Sequence, residues 1–575
     1  MENLKIQYTN YNKNVKITPW EVIFSRRLFM FKKKYCFLLA AAMILLFGCS
    51  DKNIEQETVN NDIMILYTAN VNCEGDSGMT YAGVAAYKSE MQQTNKYVTL
   101  VDAGNYLSGQ ILGTLSGGSY AAQIMNSAGY DIAALGKKDF YYGTDKILSL
   151  MSSMKFDVTS CNFIKKSTGE SVFSSYQMKT YGDKKVAFIG ISNPSVLNKR
   201  TESKYTDDNG EVGYDFCRNE DGTSLYNKVQ ETVDDARKDG ADYVVALSSL
   251  GENHYNEKWN IEQLVANTTG VDAVIDGGSE NVIAGKNIKN KDGEDVVLTE
   301  PGSQLEQIGK MCITNGKITT ELVSDYKKKD KRTSEYMTEI IHKYQANAKN
   351  VVVNMAYNLV MKSEDGSDYL IRHAETNLGD LCADAYRDVL GADIALVDAG
   401  SIGEGITDNN ITYDDMEQIF PYNQQACLIK ATGRMIRNAL ELASIDCPYA
   451  NRNFLQVSGL KYSINTKKAS AIIRVGSKIE NVSEDYRVSG IQVLNSDTNE
   501  YEALDLDKEY LVAMSNYMYK GLSGIFYMFK DCEPVLDDEM SDAQLLLTYL
   551  EPFWGDNLPK QYENPEGDGR ISVLQ

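Results

Sequence analysis

The sequence predicts an α/β fold in which strands and helices alternate along the chain. Short apolar runs, such as residues 63–67 and 98–101, each stop at a turn of small or polar residues, as buried strands do. Segments in which apolar residues recur with helical spacing, such as residues 119–128 and 225–238, lie between these runs. This alternation is typical of a layered α/β domain, so we expect that fold class for the first part of the chain.

The size and charge of the chain limit its function. Its 575 residues exceed what a single hydrophobic core normally supports, so we expect two or more domains. The formal net charge of −22 repels nucleic acids and anionic lipid surfaces within a Debye length, so nucleic acid is not an expected partner. The sequence contains only three histidines, fewer than a two-metal phosphatase site built in the usual way requires.

The N-terminus has the features of a bacterial export signal. A basic stretch precedes the apolar run 37–47 and the sequence Leu-Phe-Gly-Cys, which ends at Cys49. The run is typical of a signal peptide at residues 1–49, with Met30 as an alternative start, and not of a spanning helix. The ending resembles the lipobox, whose cysteine is lipidated after cleavage. We therefore expect an extracytoplasmic protein that is held to a membrane only by lipid on Cys49, with residues 50–61 as a tether. A plain signal peptide with an incidental cysteine is the alternative.

Two adjacent lysines mark the end of another predicted strand. Lys137 and Lys138 follow the apolar run 132–135 and Gly136, which ends that strand. They are therefore expected on the loop at its C-terminal edge, where ligands bind in open α/β folds. A solvated basic turn is the other interpretation.

The loops after the predicted strands resemble, in the right order, motifs of the metallophosphatase domain in the 5′-nucleotidase and UDP-sugar hydrolase family. These motifs are T-N-D-x-H, D-A-G-D, G-N-H-E, L-S-H-L-G and G-G-H-S-H. Residues 375–385 and 454–462 resemble the C-terminal domain of the same family. The resemblance implies a metallophosphatase-like α/β/β/α sandwich at residues 62–330, a linker helix at 331–349 and a 5′-nucleotidase C-terminal α/β domain at 350–575.

Other residues stand at the positions where the family holds its two divalent metal ions and its catalytic histidine. In motif order, the replacements are Asn70 and Asn72, Asn105, Lys137 and Lys138, Ser249, and Gly278 and Glu280. Of these, we take Asn70, Asn72, Asn105, Lys137, Lys138 and Glu280 as candidates to line a ligand pocket.

On this resemblance we expect no metal cofactor and no catalytic residue of the family type. Hard cations favour carboxylates and softer ones favour His or Cys, whereas these positions, apart from the lysines, offer three neutral amides, one hydroxyl, one glycine and one glutamate. An ammonium about 5 Å from a divalent ion costs roughly 6–7 kcal/mol at an effective dielectric of about 20. We hypothesise that a lysine fills the former metal pocket as a cation, or offers a site for an anion. A metal site rebuilt from Asp139, Asp276 and His254 is the alternative.

The second domain of the family carries a clamp in which a nucleoside base stacks between two aromatic rings. Tyr422 keeps an aromatic residue at the first position and is our remaining pocket candidate, although we favour packing for a lone ring. The second ring is replaced by Ile525 unless Phe526 takes its place. The arginine that faces the substrate is replaced by Gly403, which weakens any clamp for phosphate or carboxylate.

Three functions are compatible with these features. The first is a surface lipoprotein of this family that lacks metal-dependent phosphatase activity and binds an unknown small molecule or protein, or acts structurally. The second is an active extracellular hydrolase of nucleotides or UDP-sugars, which the resemblance alone implies. The third is a solute-binding module that uses the cleft between the domains. We favour the first, because the matches that survive shape loops and the residues that perform chemistry are replaced.

Overall fold

The computed structural model describes residues 60–73, 78–109, 111–197, 202–207, 210–252, 256–346, 349–408, 410–475, 478–496, 498–537 and 540–574. The predicted signal peptide, Cys49, residues 50–59 of the predicted tether and His254 lie outside these described residues. Within them, no helix combines the length and the apolar character needed to cross a lipid bilayer.

The strands follow one another along the chain. They are β1 (Asn60–Thr68), β2 (Asn95–Asp102), β3 (Ile132–Ala134), β4 (Asp157–Thr159), β5 (Ile164–Lys165), β6 (Tyr176–Tyr181), β7 (Lys184–Ile191), β8 (Tyr214–Asp215), β9 (Tyr243–Ser248), β10 (Ala273–Asp276), β11 (Val282–Lys289), β12 (Asp295–Pro301), β13 (Ile308–Thr314), β14 (Lys317–Val323), β15 (Val351–Asn354), β16 (Ile394–Asp398), β17 (Asn410–Thr412), β18 (Ala426–Thr432), β19 (Leu455–Ser458), β20 (Leu460–Asn465), β21 (Ile472–Val475), β22 (Lys478–Val482), β23 (Val488–Asn495), β24 (Glu500–Ala503), β25 (Glu509–Ser515), β26 (Pro534–Leu536) and β27 (Ile571–Leu574).

The helices alternate with these strands. The α-helices are α1 (Thr80–Thr94), α2 (Ile111–Ser116), α3 (Ser119–Ala128), α4 (Gly143–Met151), α5 (Thr223–Lys238), α6 (Ile261–Ala266), α7 (Lys331–Gln345), α8 (Asn377–Leu390), α9 (Tyr413–Ile419), α10 (Gly433–Ala443), α11 (Asn516–Tyr519) and α12 (Asp542–Leu550). Short 3-10 helices include Lys137–Tyr142, which we call the lysine turn, and Pro194–Val196.

Two six-stranded sheets form the N-terminal lobe, residues 60–330. In the first sheet, the order is β14-β13-β1-β2-β3-β4, and β1 to β4 are parallel. The second sheet has the order β11-β12-β10-β9-β7-β6, with its four central strands parallel. Apolar side chains such as Ile65, Phe188 and Val245 pack between the sheets. Helices α1, α3 and α7 pack on the outer face of the first sheet, and α5 and α6 on that of the second. The lobe is thus the α/β/β/α sandwich that the resemblance implies.

Local sequence explains several element boundaries in this lobe. The predicted helix at 119–128 is confirmed as α3, and it ends at Gly129, whose φ of 81° is the left-handed conformation that glycine adopts readily. Strands β13 and β14 form an antiparallel hairpin through Asn315 and Gly316, which both have positive φ, as a two-residue Asn-Gly turn requires. The predicted linker helix is present as α7.

The C-terminal lobe, residues 349–574, has a hydrophobic core of its own. A five-stranded sheet has the order β19-β16-β25-β18-β26, and a four-stranded sheet has the order β24-β23-β20-β27. Helix α8 lies buried in this lobe. Its N-cap is Thr376, which accepts a hydrogen bond from the backbone N–H of Gly379, and it ends at Gly391.

A buried ion pair joins the end of the chain to α8. Arg570 donates to the two carboxylate oxygens of Asp384 at 2.7 and 2.9 Å, and to the carbonyl oxygen of Val457 at 3.0 Å. Arg570 also contacts Asp380 and Asp568. Because both partners of the Arg570–Asp384 pair are buried, each charge depends on the other for compensation.

The cysteines form no disulfide bond among the described residues. Eight cysteines are described, and all except Cys312 are buried. The cysteines of the described residues are therefore free thiols.

Candidate functional site

A cavity of about 380 Å³ lies at the edge of the N-terminal lobe where the central strands of both sheets end. Strands β1, β2, β3, β7, β9 and β10 each lead into a loop that forms part of its wall. Parallel strands bring their C-terminal ends to one edge, which is why loops so far apart in sequence meet there. The lining includes Asn70, Asn105, Lys137, Lys138, Asn193, Ser195, Ser249, Glu252, Glu280, Asn281 and Asp537.

The structure brings five of the seven candidate pocket residues to this cavity. They are Asn70, Asn105, Lys137, Lys138 and Glu280.

The other two candidates, Asn72 and Tyr422, do not line this cavity. Asn72 is buried and absent from the lining, and its backbone N–H donates to the carbonyl oxygen of Asn105 at 2.9 Å. Tyr422 lies on the C-terminal lobe with 61% of its surface exposed and does not line the cavity. A ring this exposed does not fit the packing interpretation either, because most of its surface remains in water.

Two asparagine side chains bind each other at the cavity. Asn105 Nδ2 donates to Asn70 Oδ1 at 2.7 Å and to the carbonyl oxygen of Gly277 at 3.0 Å. Asn70 Nδ2 donates to the carbonyl oxygen of Ser279 at 2.5 Å, and Asn105 Oδ1 accepts from the backbone N–H of Lys138 at 2.8 Å. Both asparagines have a left-handed backbone, with φ of 50° and 65°, which asparagine tolerates better than most residues. The amides thus hold the loops after β1, β2, β3 and β10 together.

Two aspartates anchor the same loops from beneath. Asp139 accepts hydrogen bonds from the backbone N–H groups of residues 105, 106, 107 and 136 at 2.7–2.8 Å. Asp276 accepts from the backbone N–H groups of residues 250, 251 and 278. Burial raises the pKa of Asp139 to about 6. Burial, together with the nearby Glu300 carboxylate, raises the pKa of Asp276 to about 7. The carboxylate oxygens of Asp139 and Asp276 already accept these backbone hydrogen bonds. Both residues are therefore poorly placed to bind a metal ion, which was the alternative that the sequence suggested.

A third buried aspartate lies at the end of β2. Asp102 accepts from the Thr68 hydroxyl at 2.5 Å and from the backbone N–H of Gly104 at 2.8 Å. The Thr68 hydroxyl is also hydrogen bonded to the Tyr130 hydroxyl at 2.8 Å. Burial raises the pKa of Asp102 to about 8, so its neutral form is favoured near neutral pH.

The donor set around the cavity does not fit a two-metal centre. The oxygens of Asn70 and Asn105 each already accept one N–H group, so each has one lone pair left and no negative charge to offer a divalent ion. The described residues contain one group of three His, Cys, Asp or Glu ligand atoms within 4.8 Å of one another, formed by Glu375, Asp380 and Asp568 in the C-terminal lobe. That group lies outside this cavity.

Loop packing at Gly278 also argues against a metal centre of the family type. Gly278 stands where the family motif has a histidine. A Cβ atom added at Gly278 would lie 2.0 Å from the backbone nitrogen of Gly251 and 2.3 Å from the carbonyl carbon of Leu250. Contacts this short involve backbone, which cannot swing aside as a side chain can. The loops as they stand therefore exclude any side chain at this position.

The positively and negatively charged side chains lie at different depths in the cavity. Lys137 and Lys138 are half-buried, whereas Glu252, Glu280 and Asp537 are exposed at the rim. The hydroxyl-bearing residues Ser195 and Ser249 are buried in the wall, and Ser249 Oγ accepts from the backbone N–H of Lys137 at 3.3 Å. The arrangement offers cationic and hydroxyl donors deep in the cavity and carboxylate acceptors at its mouth.

The C-terminal lobe closes one side of the cavity. Val535, Leu536 and Asp537, at the end of β26, belong to the lining. In the reverse direction, Tyr141 of the lysine turn packs against the core of the C-terminal lobe. The lysine turn is therefore part of the contact between the lobes as well as part of the cavity wall.

The positions of the family's nucleoside clamp do not form a clamp in this protein. Phe526 is fully buried in the core, so it does not supply the missing second ring. Gly403 donates its N–H to the carbonyl oxygen of Ile419 at 2.9 Å, and an added Cβ would lie 2.5 Å from the carbonyl oxygen of Gln418. An arginine at that position would require the backbone to move.

Some lining residues were not anticipated from the sequence. Asn193 and Ser195 follow β7. The pattern that predicted the other loops, an apolar strand followed by polar residues, is present here too and could have identified them. Residues 535–537 carry no such signal, because they reach the cavity only through the contact between the lobes.

Three comparisons with known proteins agree with this architecture. Residues 359–531 match the family model described as 5′-nucleotidase, C-terminal domain. The chain is 23% identical over 512 residues to a 5′-nucleotidase from Bos taurus, covering 81% of this chain and 82% of that protein. It is 22% identical over 542 residues to an NAD 5′-nucleotidase from Haemophilus influenzae, covering 82% of this chain and 84% of that protein.

A solved structure shares the fold. The structure of Haemophilus influenzae NAD nucleotidase superposes with a TM-score of 0.69 at 18% sequence identity, covering 89% of this chain and 99% of that chain. At this identity the superposition speaks for the arrangement of both lobes and not for the chemistry of the cavity.

Proposed function

Because this chain belongs to the 5′-nucleotidase family, we propose that it is a member that binds a ligand or a protein partner in the cavity between its lobes. On this proposal it does not hydrolyse phosphate esters by the metal-dependent route. The cavity is walled by both lobes and lined by polar side chains, as expected of a binding site for a small polar molecule.

One observation carries the proposal. Asn105 Nδ2 donates to Asn70 Oδ1 at 2.7 Å, and Asn105 Oδ1 accepts from the Lys138 backbone. Metal-dependent hydrolysis needs ions that polarise the phosphate and generate hydroxide near neutral pH. These amides bind each other and the loop backbone, and two lysines line the same cavity. Both facts favour a cavity without resident divalent ions.

The competing proposal is an active hydrolase of nucleotides or UDP-sugars. It is supported by the relatives that carry the names 5′-nucleotidase and NAD 5′-nucleotidase. It requires the loops around Asn70, Asn105 and Gly278 to rearrange so that metal ligands become available.

We also propose that the protein is a lipoprotein attached through Cys49 to the outer side of a bacterial membrane, with no other membrane contact. The lipobox-like sequence that ends at Cys49 supports this. Metabolic labelling with a palmitate analogue in a bacterial host tests it. The wild-type chain should take up label and the Cys49→Ser variant should not, whereas equal labelling of both would contradict the proposal.

An activity and metal measurement tests the main proposal. Phosphate release from nucleoside monophosphates and UDP-sugars is measured with manganese, cobalt, zinc or calcium and without added metal, beside an active 5′-nucleotidase. Metal content is determined on the same sample. We expect no turnover above the protein-free control and far less than one metal ion per chain. Metal-dependent turnover, or near-stoichiometric bound metal, would overturn the proposal.

A further inference from the structure

We propose that this cavity takes a small molecule that carries both an anionic group and a protonated amine. The inference rests on the proposed function, because it treats the cavity as a ligand site and not as a metal centre. It names the chemical class of the ligand, which the family resemblance does not provide for this altered site.

The deep part of the cavity offers hydrogen-bond donors. Within the described residues, the Lys138 ammonium has no ion-pair partner, and the hydroxyls of Ser195 and Ser249 donate to no protein acceptor. Both serines are buried in the wall. The amides of Asn70 and Asn105, in contrast, are already used in mutual and backbone hydrogen bonds. An ammonium and two hydroxyls in one cavity fit an anionic group, such as a phosphoryl or carboxylate group.

The mouth of the cavity offers the opposite charge. Glu280 is exposed and has no ion-pair or hydrogen-bond partner in the described part of the chain, and Glu252 lies on the same rim. Asp537, also on the rim, is already paired with the Lys520 ammonium at 3.5 Å. A ligand with only negative charge would meet this rim unfavourably, and a purely cationic ligand would meet Lys137 and Lys138 unfavourably. A ligand with both groups can place its anionic group near the lysines and its amine near the carboxylates of the rim.

The size of the cavity agrees with this ligand class. A volume of about 380 Å³ lies in the lower part of the range for small-molecule sites. Both lobes contribute to its wall, so both ends of a compact ligand can be contacted at once.

Four sugar probes separate the two charge requirements. They are glucosamine 6-phosphate, which has both groups, glucose 6-phosphate, which lacks the amine, N-acetylglucosamine 6-phosphate, whose amine is capped, and glucosamine, which lacks the phosphate. Binding to the full chain is measured by calorimetry in buffer treated with a chelating resin, so that bound metal does not contribute. We expect glucosamine 6-phosphate to bind about tenfold more tightly than each of the others, since each lacks one charged contact.

Two variants assign the contacts. Lys138→Gln should weaken all three phosphates by a similar factor of about ten, whereas Glu280→Gln should remove only the preference for the amine. Glu339→Gln, at an exposed position on α7, is the matched control and should leave every affinity unchanged. Thermal unfolding of each variant shows that a lost affinity is not lost folding.

The outcomes separate this inference from the function on which it rests. Metal-free binding of the phosphates without any preference for the amine would overturn the inference and leave the proposed function standing. Binding or hydrolysis only after manganese or zinc is added would overturn both. No binding of any probe to folded wild-type protein, with or without metal, would overturn the inference alone.

Discussion

The side-chain amide of Asn105 donates to the amide oxygen of Asn70 at 2.7 Å. This contact ties the loop after β2 to the loop after β1. The remaining N–H of the Asn105 amide reaches the carbonyl oxygen of Gly277, after β10. The side-chain amide of Asn105 therefore connects loops from both sheets at the edge where the cavity forms. A carboxylate could not make these two contacts, because it has no N–H groups to donate.

Replacing this amide by a carboxylate tests the contact. Asn105→Asp puts acceptors opposite Asn70 Oδ1 and the Gly277 carbonyl, so we expect the free energy of unfolding at pH 8 to fall by about 2–4 kcal/mol. Urea denaturation measures it. Asn350→Asp, at an exposed site whose side chain makes no hydrogen bond within the described residues, is the control and should cost about 0.5 kcal/mol or less. Recovery of stability on adding manganese would contradict our interpretation, because it would mean that a metal ion enters the loops.

The contact between the lobes can be tested at Tyr141, which packs against the C-terminal core from the lysine turn. Tyr141→Ala removes this ring and should lower the free energy of unfolding by about 2–3 kcal/mol, whereas Tyr141→Phe should cost about 1 kcal/mol or less. Small-angle X-ray scattering should show a larger radius of gyration for the alanine variant. Equal stability and equal size of all three proteins would mean that the turn does not hold the lobes together.

The buried carboxyl of Asp102 should make stability depend on pH. Its pKa rises from 3.8 to about 8 on folding because of burial, so between these values the folded state holds a proton that the unfolded state has lost. The stability contributed by the neutral carboxyl is fully present below pH 3.8 and is lost as the pH rises to about 8.

The Asp102→Asn variant removes this titration, since its amide can accept from Gly104 and donate toward Thr68. Between about pH 5 and 7, we expect wild-type stability to fall relative to the variant by roughly 1 kcal/mol per pH unit. Titrating groups that do not interact with Asp102, Asp276 among them, are present in both proteins and cancel in the comparison. Parallel pH profiles from chemical denaturation would count against a neutral Asp102.

Breaking the buried Arg570–Asp384 ion pair should lower the free energy of unfolding strongly. Arg570→Ala leaves the buried carboxylate of Asp384 without its cation, and we expect a loss of about 3–5 kcal/mol. Arg434, whose pair with Asp507 is exposed, provides the control, and Arg434→Ala should cost at most about 1 kcal/mol. Similar losses for both variants in guanidinium denaturation would mean that burial does not set the strength of these pairs.

The sequence predicted the fold and the edge at which the cavity lies. Each strand that was predicted from an apolar run, such as β1 and β2, stops where polar residues begin. Since the strands are parallel, their ends had to meet, and this alone places Asn105 and Lys138 in one neighbourhood.

The details of the site could not be predicted in the same way. The hydrogen bond between the side chains of Asn70 and Asn105 depends on the left-handed backbone conformation of both residues. No local sequence pattern predicts that conformation. The wall at residues 535–537 depends on how the lobes pack, and Tyr422 lies outside the cavity for the same reason. Local patterns fix where a strand ends, whereas a cavity shared by two lobes is decided by contacts between residues hundreds of positions apart.

The close approach of the loops at Gly278 limits which mutational paths are open to this protein. The backbone of Leu250 and Gly251 occupies the space that any side chain at Gly278 would need. A single codon change there therefore damages loop packing before it can add a ligand to the cavity. A metal-binding side chain could enter this position only after another change had moved the facing loop, so an ancestor or descendant with such a residue is separated from this sequence by at least one less stable intermediate.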